Sequence, residues 1–242
     1  MNIVSNSFGD HIYCALDTVD TGEAVALAKT LTGLVGGVKL GLEFYCANGV
    51  DGFKAVAATG MPIFLDLKFH DIPNTVAGAI RAVMPLSPKI LTIHTLGGSD
   101  MMRRAADTAA EQAAKYGLPK PSVIGVTILT SMDDSDLTAI GVAGRVADQV
   151  ERLAELAAKS GLDGIVCSPK EIAAVRAVTN PDFKLVVPGI RPEGSAVGDQ
   201  KRVMTPRAAC VAGANVLVIG RPITTAANPA AAARAIAESL NA

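Results

Sequence analysis

Tryptophan is absent from this chain of 242 residues, and aromatic residues of all kinds make up only 4 % of it. A surface that binds nucleic acid by stacking bases on aromatic rings is therefore not expected. No long run of like charge occurs either. The 22 Lys and Arg stand against 23 Asp and Glu, a net charge of −1, so no basic stripe is available to follow a phosphate backbone. The four cysteines, Cys14, Cys46, Cys167 and Cys210, are far apart and form no CxxC pair. They read as buried free thiols in a reducing compartment rather than a disulfide framework or a thiolate metal site. No stretch reaches 18 uninterrupted apolar residues, and Met1–Asp10 has no basic start followed by an apolar run. Neither a membrane span nor a signal peptide is expected, which places the protein in the cytoplasm. Walker loops, a GxGxxG after a strand, and HExxH are all missing. A P-loop nucleotidase and a nicotinamide dehydrogenase thus lack support, and His11, His70 and His94 show no metal-ligand spacing.

What is present is a rhythm. Half of the residues are apolar, and short apolar runs alternate with helical patterns at intervals of roughly 25–35 residues, the spacing of βα units. The candidate strands are His11–Asp17, Gly37–Leu40, Pro62–Lys68, Ile90–His94, Ser122–Ile128, Gly164–Cys167, Lys184–Val187 and Val216–Ile219. Helical patterns lie between them at Gly22–Leu31, Phe44–Ala58, Thr75–Met84, Asp100–Tyr116, Arg145–Lys159, Lys170–Val178, Pro206–Ala212 and Pro229–Leu240. The strands are nearly continuous apolar runs, as expected when both faces are covered. Eight such units predict an α/β fold, a single (β/α)₈ TIM barrel forming one domain over residues 1–242.

In a parallel barrel the carboxyl ends of all the strands open on one face, and that face carries the site. Here the first three strands end in charge: Asp17, Lys39, then Asp66 and Lys68. Side chains two apart on a strand share a face, so Asp66 and Lys68 should both project at the mouth. Asp71 follows on the loop Ile72-Pro73-Asn74-Thr75 that leads into the next helix. A plain structural account would make this cluster an ion-pair network holding the strand ends. Buried charges are costly, however, and apolar replacements often stabilise, so five charges brought together are better explained by chemistry on a charged substrate. A carboxylate beside Lys68 keeps its ammonium charged. Such a lysine is a poor Schiff-base nucleophile but a competent acid. Asp66 would repel an anionic group set next to it. The array suits loss of a carboxylate followed by protonation of the carbanion.

A second constellation lies near the end of the chain. Pro188-Gly189-Ile190-Arg191-Pro192 follows the seventh strand, and Ile219-Gly220-Arg221-Pro222 follows the eighth. Barrels commonly bind phosphate at these two loops, with glycine for close backbone approach and arginine for a bidentate grip. Gly198-Asp199-Gln200 falls in the longest expected loop, Pro188–Arg202, which can close as a lid. Other residues invite less. His11 reads as structural, the direction of His70 is left open by alternation, and His94 is a lesser candidate for the lining. Met101 and Met102 read most simply as core or surface-helix positions.

The run Asp66-Leu67-Lys68-Phe69-His70-Asp71-Ile72-Pro73-Asn74-Thr75 resembles the signature of the orotidine 5′-phosphate decarboxylases. Ala15-Leu16-Asp17, Val38-Lys39-Leu40-Gly41, Val126-Thr127-Ile128-Leu129-Thr130-Ser131-Met132 and the loops around Arg191, Gln200 and Arg221 agree with that family in order, from about Ile12 to Leu240. The resemblance implies decarboxylation of orotidine 5′-phosphate to uridine 5′-phosphate in pyrimidine biosynthesis. It implies that Lys68 protonates C6, that Asp66 faces the substrate carboxylate, and that Lys39 bonds within the charge array and to the ribose. Asp17 is implied as a ribose contact and Thr130 as a pyrimidine contact. Arg191, Gln200, Gly220 and Arg221 are implied to bind the phosphate. Asp71 and Thr75 are implied to reach into a partner's site, making the working enzyme a homodimer. The family uses no metal, flavin or pyridoxal phosphate. Two alternatives stand beside it. A sugar-phosphate decarboxylase resembling 3-keto-L-gulonate 6-phosphate decarboxylase shares the Asp-x-Lys-x-x-Asp strand, but it uses Mg²⁺ with an acidic ligand where this chain has Lys39. A non-catalytic nucleotide-binding barrel would have no need of so costly a charge cluster.

Overall fold

A computed structural model of the protein describes residues 8–192 and 204–240. Eight parallel strands close into a barrel in chain order, β1 (Ile12–Ala15), β2 (Gly37–Leu40), β3 (Ile63–Phe69), β4 (Ile90–His94), β5 (Ser122–Val126), β6 (Gly164–Val166), β7 (Lys184–Val187) and β8 (Val216–Ile219), with β8 returning to pair with β1. The helices are α1 (Thr21–Leu31), α2 (Leu42–Ala57), α3 (Pro73–Val83), α4 (Gly98–Tyr116), α5 (Asp134–Ala139), α6 (Val146–Lys159), α7 (Ile172–Val178), α8 (Pro206–Ala212), α9 (Arg221–Thr224) and α10 (Pro229–Ser239). None of the described helices is long and apolar enough to cross a membrane.

The apolar runs are strands because they are covered twice. Inside the barrel, Tyr13, Phe64, Ile90, Ile124, Val186 and Val216 form a compact plug. Outside, residues such as Cys14, Leu65, Leu91 and Ile93 join the larger core beneath the helices. Helix faces show the expected three-and-four spacing. On α6, Val146, Val150, Leu153, Ala154 and Ala157 are buried, and on α4 Met101, Met102, Ala105, Ala109 and Ala113 are. The two methionines are thus core residues. Small alanines let α4 lie close to the sheet. Helix starts carry their own signals: Asp20 caps α1 by accepting from the Glu23 N–H at 2.9 Å, and Pro73 opens α3 where a missing N–H costs nothing.

Four strands, β2, β4, β7 and β8, run as the sequence predicts. Others stop short. The expected strand to Ile128 ends at Val126, because its neighbour β6 ends at Val166 and offers no further ladder; the Thr127 hydroxyl instead donates to the Val166 carbonyl at 2.8 Å. Likewise β1 ends at Ala15, not Asp17, and Leu16 and Asp17 lead into the mouth loop. Helices α5 and α9 escape periodicity because six and four residues are too few to show it. The thiols need correction too. All four are free, but Cys46 is exposed and Cys210 half-buried, so only Cys14 and Cys167 are buried as expected. Position 46 lies on a part of α2 that faces away from the sheet.

Candidate active site

The carboxyl ends of the strands surround a cavity of about 450 Å³. Asp17, Lys39, Asp66 and Lys68 line one side of it, and Gly189, Arg191, Gly220 and Arg221 line another. Ile128, Val166, Val186 and Val218 supply an apolar wall, with Thr130 beside them.

The charged side is a chain of alternating signs. Lys39 Nζ lies 3.5 Å from Asp17 Oδ1 and 3.5 Å from Asp66 Oδ2, while Lys68 Nζ donates to both Asp66 oxygens at 2.9 Å. Asp66 is the buried member, at 8 % exposure, and Asp17 is open to solvent. Burial alone would raise the Asp66 carboxyl. Lys39 and Lys68, with hydrogen bonds from Lys68 and Thr92, overcome that effect and hold it below the usual carboxylate range. Asp66 is therefore a carboxylate at neutral pH, and the array presents both signs of charge to the cavity.

The route by which Asp66 and Lys68 meet differs from simple alternation. Leu65 pairs with Leu91 but Phe69 pairs with Ile93, so four steps along β3 match two along β4. The excess is a bulge, and Lys68 sits in it with φ +50°, a left-handed conformation that non-glycine residues rarely adopt. A bulge re-aims side chains, and here the Lys68 ammonium turns onto Asp66. Thr92 on β4 fastens the arrangement: its hydroxyl donates to Asp66 Oδ1 at 2.9 Å and accepts from the Lys68 N–H at 3.0 Å. Sequence reasoning passed over Thr92. The available signal was a hydroxyl in an otherwise apolar buried strand opposite the polar end of β3. Gly41, at the end of the Val38-Lys39-Leu40-Gly41 run, has a steric role. A Cβ built there would stand 2.9 Å from Lys39 Nζ, so the glycine leaves room for that ammonium.

At the other side, Gly189 has φ +77°, which only glycine takes without strain, and it turns the chain after β7. Burial and the like charge of Arg221 pull the Arg191 guanidinium below its usual range, although arginine stays charged throughout the physiological range. Two cations that repel each other at the rim of a cavity favour an anion between them. Gly220 precedes α9, and a Cβ there would meet Ala15 Cβ at 3.4 Å and Asp17 Oδ2 at 3.8 Å.

Not every predicted residue joins the cavity. Asp71 and Thr75 are exposed and do not line it; Asp71 accepts from the Ile72 N–H at 2.7 Å and has no ion pair among the described residues. The single chain therefore brings together four of the five expected charges. Gln200, with Gly198 and Asp199, lies outside the described residues. His94 is not part of the lining: its ring stacks on His70, centroids 5.2 Å apart, and burial with the nearby His70 and Lys68 lowers its pKa to about 4. His11 holds the opposite end of the barrel through Asn215 O at 3.0 Å, in keeping with a structural role.

Comparison with known proteins agrees along most of the length. Residues 10–236 match the profile described as the Orotidine 5'-phosphate decarboxylase / HUMPS family. A protein of Paramagnetospirillum magneticum named orotidine 5'-phosphate decarboxylase is 56 % identical over 229 residues, which cover 95 % of this chain and 97 % of that one. One of the same name from Moorella thermoacetica is 48 % identical over 96 % of this chain and 92 % of its own. A crystal structure of orotidine 5'-phosphate decarboxylase from Lactobacillus acidophilus superposes with a TM-score of 0.83 at 37 % identity, covering 96 % of this chain and 99 % of that one.

Proposed function

The chain belongs to the orotidine 5′-phosphate decarboxylase / HUMPS family, and we propose that it converts orotidine 5′-phosphate to uridine 5′-phosphate and CO₂ in pyrimidine biosynthesis. The observation that carries this reading is the alternating array Asp17–Lys39–Asp66–Lys68 sharing one cavity with Arg191 and Arg221. A substrate with an anion at each end, carboxylate and phosphate, matches that division of charge.

On this reading the phosphate is held by Arg191 and Arg221, with backbone groups of Gly189 and Gly220 close by, and Gln200 joins them. Asp17 and Lys39 bind the ribose hydroxyls. Thr130 fixes the pyrimidine against the apolar wall, which leaves the ring carboxylate beside Asp66. Loss of CO₂ places an electron pair on C6 with no conjugated acceptor. The barrier to be removed approaches the top of the usual enzymatic range, about 23 kcal/mol. A fixed ammonium next to the forming carbanion, in a site that needs no reorganisation, is the natural source of that stabilisation. Lys68 then delivers its proton to C6. Grip on the distant phosphate contributes by orienting the ring and closing the site.

Metal chemistry at this site meets a physical obstacle. The Lys39 ammonium stands 3.5 Å from each of two carboxylates and offsets their charge, where the metal-dependent alternative calls for an acidic ligand. That favours the nucleotide over a keto-sugar phosphate.

The working unit on this reading is a homodimer in which Asp71 and Thr75 complete the neighbouring copy's site. Their exposure outside their own cavity supports this, as does Ile72 between them, an apolar side chain left 67 % exposed. Free thiols fit a reducing compartment, the cytoplasm.

The test is direct. Purified protein is given orotidine 5′-phosphate with and without excess EDTA, loss of the orotate absorbance is followed, and the product is identified by chromatography. Conversion to uridine 5′-phosphate, unchanged by EDTA, is expected. No conversion, together with activity on a keto-sugar phosphate, overturns the reading.

A further inference from the structure

Three threonine hydroxyls lie on or just after β4 and β5, Thr92 within β4, Thr95 just beyond it and Thr127 just beyond β5, and they do different things. Thr95 Oγ1 donates to Val126 O at 2.9 Å and Thr127 Oγ1 to Val166 O at 2.8 Å, so each staples its strand to the next through a backbone carbonyl. Thr92 bonds instead to two members of the charge array, the Asp66 carboxylate and the Lys68 backbone. It is fully buried, on a strand whose other residues up to His94 are apolar.

The direction of these bonds is forced. A backbone N–H can only donate, so the Thr92 oxygen must accept from Lys68. Its single proton is then committed to Asp66, an ionised carboxylate that can only accept. One hydroxyl thus connects the side chain of one charged residue to the main chain of the other, across the bulge in which Lys68 holds φ +50°. Without it, the Lys68 N–H in that bulge loses its partner, and the buried carboxylate loses one donor.

Resting on the decarboxylase reading, we infer that Thr92 is a positioning residue of the reaction, its hydroxyl setting the relative placement of the Asp66 carboxylate and the Lys68 ammonium. It touches neither reacting atom. It acts on where those groups stand when C6 loses CO₂ and takes the proton, and small misplacements of reacting groups are costly in rate.

The test compares Thr92→Val, of the same shape without the hydroxyl, with Thr92→Ser, which keeps it. Thr92→Val is expected to lower kcat by about 10- to 100-fold, with KM for orotidine 5′-phosphate held within about 3-fold, because the phosphate grip is untouched. Thr92→Ser is expected to return kcat to within about 3-fold of the parent. Should Thr92→Val not fold, Thr92→Cys, of similar size and a weak donor, carries the same expectation. A Thr92→Val enzyme with kcat within about 2-fold of the parent overturns the inference, as does a Ser variant no better than Val. Deuterium exchange of the Lys68 amide gives a readout that needs no turnover: faster in Val and restored in Ser is expected, and equal rates in all three overturn it. Failure of the parent protein to act on orotidine 5′-phosphate counts against the decarboxylase reading instead, and the amide exchange then still decides whether Thr92 holds Lys68.

Discussion

At the amino-terminal end of the strands, Lys120 and Asp163 pair at 2.6 Å, and Asp163 also accepts from the Val123 N–H at 2.8 Å. Nearby, Arg176 donates to Gly213 O at 2.7 Å and Phe183 O at 2.5 Å, and it reaches the Asn215 carboxamide, which in turn accepts from the Leu185 N–H at 2.8 Å. Asp163 and Arg176 both end on backbone, and Lys120 is held by Asp163. At the carboxyl end, Lys39 stands 3.5 Å from each of two carboxylates and no closer, Lys68 is held in a left-handed bulge, and the group of four faces an open cavity. Charge tied to backbone ties the barrel together. Charge tied to charge, beside empty space, is arranged for something that is to enter.

That contrast can be broken by experiment. The largest effect belongs to Lys68→Ala, which should reduce kcat by about 10²–10⁴-fold or more while leaving affinity for uridine 5′-phosphate nearly unchanged. Asp71→Ala should be similarly impaired, and mixing the two inactive variants under conditions of subunit exchange should restore about a quarter of the parent activity, since half of the dimers then carry one intact site. Absence of recovery, with exchange demonstrated by mass spectrometry, removes Asp71 from the shared site.

Next comes the other end. Arg176→Ala strips several carbonyls and a carboxamide of their donor, so the urea midpoint should fall by an amount worth about 2–3 kcal/mol, with kcat/KM of the folded enzyme within about 2-fold. A large loss of kcat/KM in the folded variant would erase the distinction between the two ends.

The smallest effect concerns His94. Burial, His70 and Lys68 hold its pKa at about 4, below the 6.5 of a free imidazole. As pH falls from 6.5 toward 4 the unfolded chain takes up a proton that the folded one refuses, so stability is lost across that window and is fully present above it. Because the ring is only partly buried, the loss should be about 1–2 kcal/mol after allowing for solvent. His94→Phe, which keeps a ring against His70, should flatten the decline in unfolding free energy between those pH values, and an unaltered slope would rule out His94 as its source.

Much of this molecule is legible in one dimension. The β2, β4, β7 and β8 segments stand out because they are short, mainly apolar runs bounded by breakers, Val216–Ile219 being apolar throughout. The cavity residues near Arg191 and Arg221 are legible because glycine and arginine follow the seventh and eighth strands, where barrels hold phosphate. The β3 bulge is not. Alternation puts Asp66 and Lys68 on one face, and they do meet, yet through a left-handed Lys68 and a slipped register that depend on β4 lying alongside. The hydroxyl of Thr92 can be seen in its strand, but what it bonds cannot, since its partners are 24 and 26 residues away.

The sequence by itself determined the eight-unit barrel and the charge at the ends of its first three strands, because periodicity and residue type are local properties. Only the tertiary structure places Lys39 between Asp17 and Asp66, turns Lys68 onto Asp66 through a bulge, and leaves Asp71 outside the cavity. Those facts concern distances between strands, and such distances exist only once the barrel has closed and its registers are set.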